Sequence, residues 1–223
     1  ILTDHAADLL FAPTPIAVSH LRNEGIPEER IHLVGDVMFD ASLIFGPIAD
    51  KRSNILSNLF SSPKEYILAT IHRAETTDDP NLLSRVLIAL QESPMPVVLP
   101  IHPRTKKHAQ KKDLEHPNLH VIDPIGYIDM VALEKNCSLI VTDSGGVQKE
   151  AYFHGKPCVT IRTETEWVEL IDTGWNRLAS LGSVDEIKKS IKEAIGTIGQ
   201  QMQLYGTGNS GEKVIEALIK NNL

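Results

Sequence analysis

The sequence is poor in cysteine, in long apolar runs and in positive charge. Its two cysteines, Cys137 and Cys158, form no metal-type spacing, so we expect buried thiols in a reducing compartment, the cytoplasm, rather than a disulfide framework. No apolar run reaches the roughly 20 residues of a membrane span, so no membrane partner is expected. With 22 basic against 29 acidic residues, the chain lacks the basic face that selects nucleic acid.

Short apolar runs alternate with helical patterns along the 223 residues. The predicted strands are 8–12, 31–35, 66–71, 96–101, 119–122, 138–142, 158–161 and 176–179. The predicted helices are 14–24, 37–49, 80–92, 104–112, 127–135, 145–154, 184–198 and 211–221. Several strands are apolar throughout, which is typical of strands buried on both faces. The alternation predicts an α/β fold built on a doubly wound parallel sheet with helices on both faces.

A boundary is predicted near residues 46–64, where Ser, Asn, Pro and Gly accumulate. The β-α-β pattern of residues 8–35 is then expected to belong to a different sheet from the six strands that follow. The chain opens without Met inside this pattern, and we expect it to be a portion of a longer protein.

Polar residues follow four of the apolar runs. Because ligands of open parallel sheets bind at the carboxyl ends of the strands, these residues predict one site for a polar anionic ligand. The four groups are His72-Arg73-Ala74-Glu75, His102-Pro103-Arg104, Asp143-Ser144-Gly145-Gly146 and Arg162 with the residues after it.

The Ser144-Gly145-Gly146 corner admits three interpretations. A serine nucleophile of the trypsin type conflicts with the α/β pattern, and no GxSxG elbow is present. A phosphate cradle fits a helix that begins at Gly145 and is capped by Ser144, with Glu150 further along to accept ribose hydroxyls. In the third, Ser144 is only a cap and Glu150 a solvated residue. The last two stay open at this point.

The histidines are equally ambiguous. His72 and His102 each follow a strand, where a histidine can serve structure alone. No HxH, HExxH or Cys/His spacing is present, so no metal and no other cofactor is expected.

Taken together, these stretches resemble the UDP-N-acetylglucosamine 2-epimerase family of the non-hydrolysing type. The matching segments are HLRNEGIPEERIHLVGDVMFDA (20–41), ATIHRAET (69–76), LPIHPRT (99–105), DPIGYIDMVAL (123–133) and the long run from LIVTDSGG through TEWVE to GWNRL (139–178). TEWVE (165–169) replaces the commoner Thr-Glu-Arg-Pro-Glu, and Thr76 stands where Asn is common.

The resemblance implies a GT-B architecture, in which UDP-sugar binds between two Rossmann-like domains. Residues 1–45 then correspond to the tail of the N-terminal domain, 46–205 to the UDP-binding domain, and 206–223 to a helix returning toward the N-terminal domain. The remainder of the N-terminal domain, UDP and UDP-N-acetylglucosamine, and a second copy in a homodimer are the implied partners.

The resemblance also implies residue roles. His72 is the implied catalytic residue, which contacts the UDP phosphates and supports departure of UDP. His102 resembles a residue near a regulatory site. The other implied UDP-binding residues are Arg73, Glu75, the uracil-side Tyr127, the cradle residues Ser144, Gly145 and Gly146, the ribose-binding Glu150, and Arg162.

The implied reaction eliminates UDP from UDP-N-acetylglucosamine and adds it back with C2 inverted. The acid and base at C2 are implied to lie in the missing domain, so we expect this chain alone to bind UDP without turnover. Three alternatives stay open: a hydrolysing epimerase, the donor domain of a GT-B glycosyltransferase, and a non-catalytic UDP-sugar-binding module.

Overall fold

The computed structural model describes residues 1–61 and 65–221. Residues 62–64 of the predicted boundary and the last two of the predicted returning helix lie outside this range. The chain divides into two compact units, one made of Ile1–Phe45 with Met202–Leu223 and the other of Gly46–Gln201. That these units are parts of an N-terminal and a UDP-binding domain stays a prediction.

All regular elements are short. The strands are β1 (Leu10–Ala12), β2 (Ile31–Leu33), β3 (Ile67–Thr70), β4 (Val97–Pro100), β5 (Leu119–Ile122), β6 (Leu139–Thr142), β7 (Cys158–Thr160) and β8 (Asn176–Leu178). The helices are α1 (Leu2–Ala6), α2 (Pro15–Asn23), α3 (Val37–Arg52), α4 (Ile55–Leu59), α5 (Ala74–Thr77), α6 (Pro80–Gln91), α7 (Pro103–His108), α8 (Tyr127–Asn136), α9 (Gly145–Phe153), α10 (Val168–Asp172), α11 (Val184–Ala194) and α12 (Ser210–Lys220).

The second unit contains a six-stranded parallel sheet in the order β5-β4-β3-β6-β7-β8. Counted within the unit this order is 3-2-1-4-5-6, the doubly wound arrangement that reverses direction between its first and fourth strands. The reversal lies between β3 and β6. A crevice at the carboxyl ends of these two strands is where such a sheet binds ligands.

Helices cover both faces of this sheet, because successive strand residues point to opposite sides. Ile67 and Ala69 of β3 belong to a buried cluster with apolar residues of α6 and α11. Leu68, between them, belongs to a second cluster with residues of α4, α8 and α9. The predicted α/β class, parallel sheet and helices on both faces are confirmed.

The helices α6 and α11, which cover the face of the sheet that carries Ile67 and Ala69, begin where the sequence predicts. Asp79 caps α6 by accepting the N–H groups of Asn81 and Leu82, and Ser183 caps α11 by accepting the N–H of Glu186. The predicted end of α11 at residue 198 is wrong. Ile195 is already extended and Gly196 has a φ of +74°, a left-handed conformation that ends the helix.

In the first unit, β1 and β2 form a separate two-stranded parallel sheet, as predicted. Gly35 follows β2 with a φ of +93°, and a Cβ there would lie 2.9 Å from the carbonyl oxygen of Tyr205. Only glycine fits this turn, where the segment after β2 packs against the backbone of Tyr205. In the part of the chain that the structure describes, no helix is long and apolar enough to cross a bilayer.

Candidate functional site

Asp143 joins the two loops at the reversal of the sheet. Its carboxylate is fully buried and accepts the backbone N–H of His72 at 3.0 Å and that of Arg73 at 2.9 Å. The Nδ1 atom of His72 lies 3.6 Å from Asp143 Oδ1. Asp143 thus satisfies the N–H groups of the loop after β3, and the Nδ1 side of the His72 ring faces its carboxylate.

The first turn of α9 presents its N–H groups beside this loop. Gly145, Gly146 and Val147 open the helix, and the geometry of an α-helix gives their N–H groups no carbonyl partner within it. Ser144 occupies the N-cap position, but its side chain makes no capping hydrogen bond. The predicted Ser144 side-chain cap is therefore wrong, and these donors and the positive end of the helix dipole remain for an anion.

Glycine at position 145 is not imposed by the surrounding protein. Its φ lies outside the left-handed region, and a Cβ added there would meet Glu166 Oε2 and Trp167 Nε1 at an ordinary 3.7 Å. The absent side chain leaves the backbone open, as close approach of a ligand requires.

Two arginines share one carboxylate next to this helix. Arg162, two residues after the end of β7, donates two hydrogen bonds to Glu166, at 2.8 and 3.0 Å. Arg73 lies 3.9 Å from the same carboxylate. The hydrogen-bonded Arg162 holds the pKa of Glu166 below its usual range. The hydrogen bond to Glu166 first, and then the charges of Glu75 and Glu164, raise the pKa of Arg162. Three carboxylates therefore act on this pair of arginines.

The loop carrying Glu166 is anchored to the start of α9. The indole N–H of Trp167 donates to the carbonyl of Gly145 at 2.8 Å. The Lys149 ammonium lies 4.3 Å from the centre of the Trp167 ring, within range of a cation–π contact. Gln148 is fully buried, and its side-chain oxygen accepts from Thr165 at 2.6 Å. The TEWVE segment thus forms one wall of the helix start.

Glu150 lies on α9 one turn beyond the open N–H groups. It is buried, which excludes the interpretation of a solvated helix residue. Tyr127, the first residue of α8, is hydrogen-bonded to it. Burial first, and then the charge of Glu150, raise the pKa of the Tyr127 phenol to about 12.

An apolar pocket of about 200 Å³ opens at the carboxyl ends of β3, β4 and β5. His72 and His102 line it, with their ring centres 5.3 Å apart. His102 caps α7 by accepting the N–H of Arg104 at its Nδ1 atom. The remaining lining is largely apolar: Thr70, Ile71, Pro100, Ile101, Pro124, Ile125, Met130 and Val147. Tyr127 is not part of this lining; the structure places it against Glu150.

The structure therefore gathers the predicted residues at one edge of one sheet. Two residues that hold the site together, Gln148 and Trp167, were not predicted as site residues, and Asp143 was named at its strand end without its contacts to His72 and Arg73. Among the residues that the structure describes, no group of three His, Cys, Asp or Glu side chains has the arrangement of a metal site.

Comparison with known proteins agrees with the family resemblance found in the sequence. Residues 1–219 match the family model described as UDP-N-acetylglucosamine 2-epimerase. A UDP-N-acetylglucosamine 2-epimerase homolog of Methanococcus maripaludis is 44% identical over 228 residues, which cover 98% of this chain and 62% of that protein. The UDP-2,3-diacetamido-2,3-dideoxy-D-glucuronate 2-epimerase of Pseudomonas aeruginosa is 45% identical, with 99% of this chain and 62% of that protein covered.

Among solved structures, the Methanocaldococcus jannaschii UDP-GlcNAc 2-epimerase in complex with UDP-GlcNAc and UDP superposes with a TM-score of 0.90 at 36% identity. The match covers 98% of this chain and 63% of that one. This likeness confirms the GT-B type of fold. The chain spans about 62% of the length of the curated relatives that it matches.

Proposed function

This chain belongs to the UDP-N-acetylglucosamine 2-epimerase family, and from that premise we propose that it is the UDP-binding part of an enzyme that inverts C2 of a UDP-linked 2-acetamido sugar. One observation carries the proposal. Three features meet at the carboxyl ends of the central strands β3 and β6: the open first turn of α9, the buried Glu150 and the pocket beside His72.

The diphosphate is assigned to the start of α9. The N–H groups of Gly145, Gly146 and Val147 and the helix dipole suit a doubly charged group. Arg73 and Arg162 supply positive charge beside it, reduced by the Glu166 carboxylate that they share. The Nδ1 atom of His72 faces Asp143, so its Nε2 atom is the one assigned to a phosphate oxygen.

The nucleoside is assigned to Glu150 and to the apolar pocket beside His72. The Glu150 carboxylate accepts hydrogen bonds from the two ribose hydroxyls, a pairing that charge assistance makes stronger than a neutral one. The flat uracil ring enters the apolar pocket, between Ile125, Met130 and Val147. Tyr127 then acts through Glu150 rather than as a wall of the base pocket.

The chemistry assigned to these residues is stabilisation of the leaving group. In the proposed reaction a base removes the proton from C2, the C1–O bond breaks, and UDP departs with the bonding electron pair. UDP then adds back to C1 while a proton reaches C2 from the opposite face. Donors positioned where negative charge develops lower the barrier of such a step. The acid and base at C2 are assigned to the part of the longer protein that this chain does not span, so this chain alone is expected not to turn over.

Two sugars are candidates for the substrate. UDP-N-acetylglucosamine is favoured by the family and by the archaeal structure at 36% identity. The diacetamido uronate is favoured by the higher identity, 45%, to the Pseudomonas enzyme. Incubating the longer protein with each nucleotide sugar separately and analysing the configuration at C2 by NMR distinguishes the two substrates.

The same NMR analysis separates a UDP-linked product from free sugar, and hence the epimerase from its hydrolysing form. A glycosyltransferase donor domain predicts sugar transfer to an acceptor instead.

A calorimetric titration with UDP tests the binding site. We expect micromolar to low-millimolar binding, weakened about 100-fold or more by Glu150→Ala, because two hydrogen bonds to a charged group are lost, each contributing about 1.5 kcal/mol or more. Glu193→Ala is the control, since Glu193 is an exposed residue of α11, and it should bind like the unchanged chain. Equal affinities for all three proteins would overturn the assignment of Glu150. No binding by the unchanged chain, and none by the longer protein, would favour a helix start that serves structure alone.

The remaining partners are proposals as well. We propose a homodimer, as the family resemblance implies, and a location in the cytoplasm, which the two buried free cysteines support. Sedimentation of the longer protein tests the first, and cell fractionation tests the second.

A further inference from the structure

The side chain of Gln148 joins three segments around the start of α9. It is fully buried, and its Nε2 atom donates to the carbonyl oxygen of Ser144 at 3.2 Å. Its Oε1 atom accepts from the Thr165 hydroxyl at 2.6 Å and from the Asn176 amide at 2.9 Å. Gln148 thus connects the helix start with the TEWVE segment and with the first residue of β8.

The partners of Gln148 permit one orientation of its amide. The Ser144 carbonyl can only accept hydrogen bonds, so the amide turns its NH₂ group toward it. The amide oxygen then lies between Thr165 and Asn176, which both donate to it. The oxygen of Asn176 in turn accepts from the buried Thr160 hydroxyl at 2.9 Å. Because each donor of this group faces an acceptor, the Gln148 side chain is held in place.

Holding the Ser144 carbonyl sets the direction of the next N–H group. A trans peptide unit is planar, and its C=O and N–H bonds point in opposite directions. The Ser144 C=O points toward the buried Gln148 amide, so the Gly145 N–H of the same unit points away from it, out of the helix start. The N–H of Ser144 is held as well, by the Thr142 hydroxyl at 2.9 Å.

Trp167 holds the following peptide unit in the same manner. Its indole N–H donates to the Gly145 carbonyl at 2.8 Å, so the Gly146 N–H points the opposite way. The backbone N–H of Trp167 donates to the Thr165 hydroxyl at 3.1 Å, and that hydroxyl donates to Gln148. One chain of hydrogen bonds therefore ends on two consecutive carbonyls and sets the direction of both glycine N–H groups.

This support matters because glycine restrains its own backbone least. Without a Cβ atom, Gly145 and Gly146 have more conformations open to them than other residues. A loose helix start would have to be ordered when an anion binds, and that ordering costs free energy. Gln148 is fully buried and therefore acts on a ligand only through the backbone that it holds.

We propose that Gln148 is a positioning residue, which aims the N–H groups of Gly145 and Gly146 at the diphosphate. It acts through the Ser144 carbonyl and through the TEWVE segment. This inference rests on the proposed function. Donors that are already aimed need no reorganisation when negative charge develops on the departing UDP, and this is how they lower the barrier.

The test measures UDP affinity by calorimetry and the ¹⁵N order parameters of the two glycine amides in the free chain by NMR. Gln148→Leu removes the three side-chain hydrogen bonds. It should weaken UDP binding about 10-fold, which corresponds to one well-aligned hydrogen bond to a charged group. The order parameters of Gly145 and Gly146 should be about 0.85 in the unchanged chain and fall toward about 0.6 in this variant.

Thr165 gives a second test at a position that is only partly buried. Thr165→Val keeps the shape and removes the hydroxyl between Gln148 and Trp167, and it should weaken UDP binding about 3-fold to 10-fold. Thr165→Ser returns the hydroxyl and should restore the affinity to within about 2-fold. This pair decides the inference if Gln148→Leu does not fold.

Asn118→Leu is the matched control. Asn118 also carries an amide that joins backbone segments, since its Nδ2 atom donates to the carbonyls of Gln91, Ser93 and Met95 at 3.0 to 3.1 Å. It directly precedes β5 and so lies at the amino end of the sheet, opposite the proposed site. We expect a lower melting temperature, with the UDP affinity and the glycine order parameters unchanged.

Three results would overturn the inference. They are a UDP affinity that neither Gln148→Leu nor Thr165→Val changes, glycine amides that are equally ordered before and after Gln148→Leu, and an equal loss of affinity in Asn118→Leu. Failure of the proposed function looks different. If neither the unchanged chain nor the longer protein binds UDP, the UDP site itself is wrong. If UDP binds but the variants behave otherwise than expected, only the role of Gln148 is wrong.

Discussion

The Asp143 carboxylate accepts the backbone N–H of His72 at 3.0 Å and lies 3.6 Å from Nδ1 of the His72 ring. This contact joins the loop after β3 to the loop after β6, where the sheet reverses. It orients the imidazole that we assign to departure of UDP. Asp143 therefore holds together the two loops that border the crevice at the carboxyl ends of β3 and β6.

Asp143→Asn should destabilise the protein and weaken UDP binding together. The amide has a single acceptor oxygen and no charge. In the Oδ2 position this oxygen still accepts both N–H groups, but the NH₂ group then faces the His72 N–H, donor against donor. We expect the free energy of unfolding to fall by about 1–3 kcal/mol, measured by urea denaturation. Asp78→Asn is the control: its carboxylate pairs with Arg104 at 51% exposure, and exposed pairs contribute under about 1 kcal/mol. Equal losses in the two variants would contradict the role of Asp143.

Trp167→Phe should weaken UDP binding beyond its effect on stability. The substitution removes the indole N–H bond to Gly145 and keeps an aromatic ring for Lys149. Trp175→Phe is a matched control, because its indole N–H also donates to a carbonyl at 2.8 Å, that of Gln200, at the amino end of β8. Both variants should lose roughly 0.5–1.5 kcal/mol of stability, but only Trp167→Phe should change the calorimetric affinity for UDP. An unchanged affinity in both would show that the TEWVE wall does not shape the site.

Much of this arrangement was predictable from the sequence, and the rest depends on strand order. All eight predicted strands exist, and most of them are short apolar runs between turn residues. The exception is β8, which is polar at two of its three positions. Helices of four or five residues, such as α5 and α10, are too short to show a periodic pattern. The polar residues at the strand ends were recognised one by one. The contact of Asp143 with His72, however, requires that β3 lie next to β6, which no local pattern states. The Ser144 cap was predicted from residue type, and the structure shows no such bond.

Glu166→Gln should tighten UDP binding by about 2-fold to 5-fold. The Glu166 carboxylate stands beside the cradle, where it repels a diphosphate and neutralises part of the charge of Arg73 and Arg162. Glu164→Gln removes a carboxylate that has no hydrogen bond to Arg162 among those of the described chain, and should change the affinity less. Weaker binding by Glu166→Gln would mean that this carboxylate matters chiefly for orienting Arg162.

His154 should make the protein less stable in mild acid. Its pKa is lowered to about 4 by burial, whereas in the unfolded chain it is near 6.5. Between these values the unfolded state binds the proton more readily, so the free energy of unfolding falls as pH decreases from 6.5 to 4. The loss from this group should reach roughly 3 kcal/mol at most. Urea denaturation at pH 7.5, 6 and 5 should show a flatter profile for His154→Gln, and an unchanged slope would contradict a buried neutral imidazole.

The central claim is that UDP binds at the first turn of α9. A titration of the ¹⁵N-labelled chain with UDP, followed by backbone amide signals, tests it most directly. We expect the amide signals of Gly145, Gly146 and Val147 to shift first and farthest, with those of His72 and Arg73 following. Shifts that spare these five residues, or that concentrate at the pocket formed by β2 and α12, would contradict it.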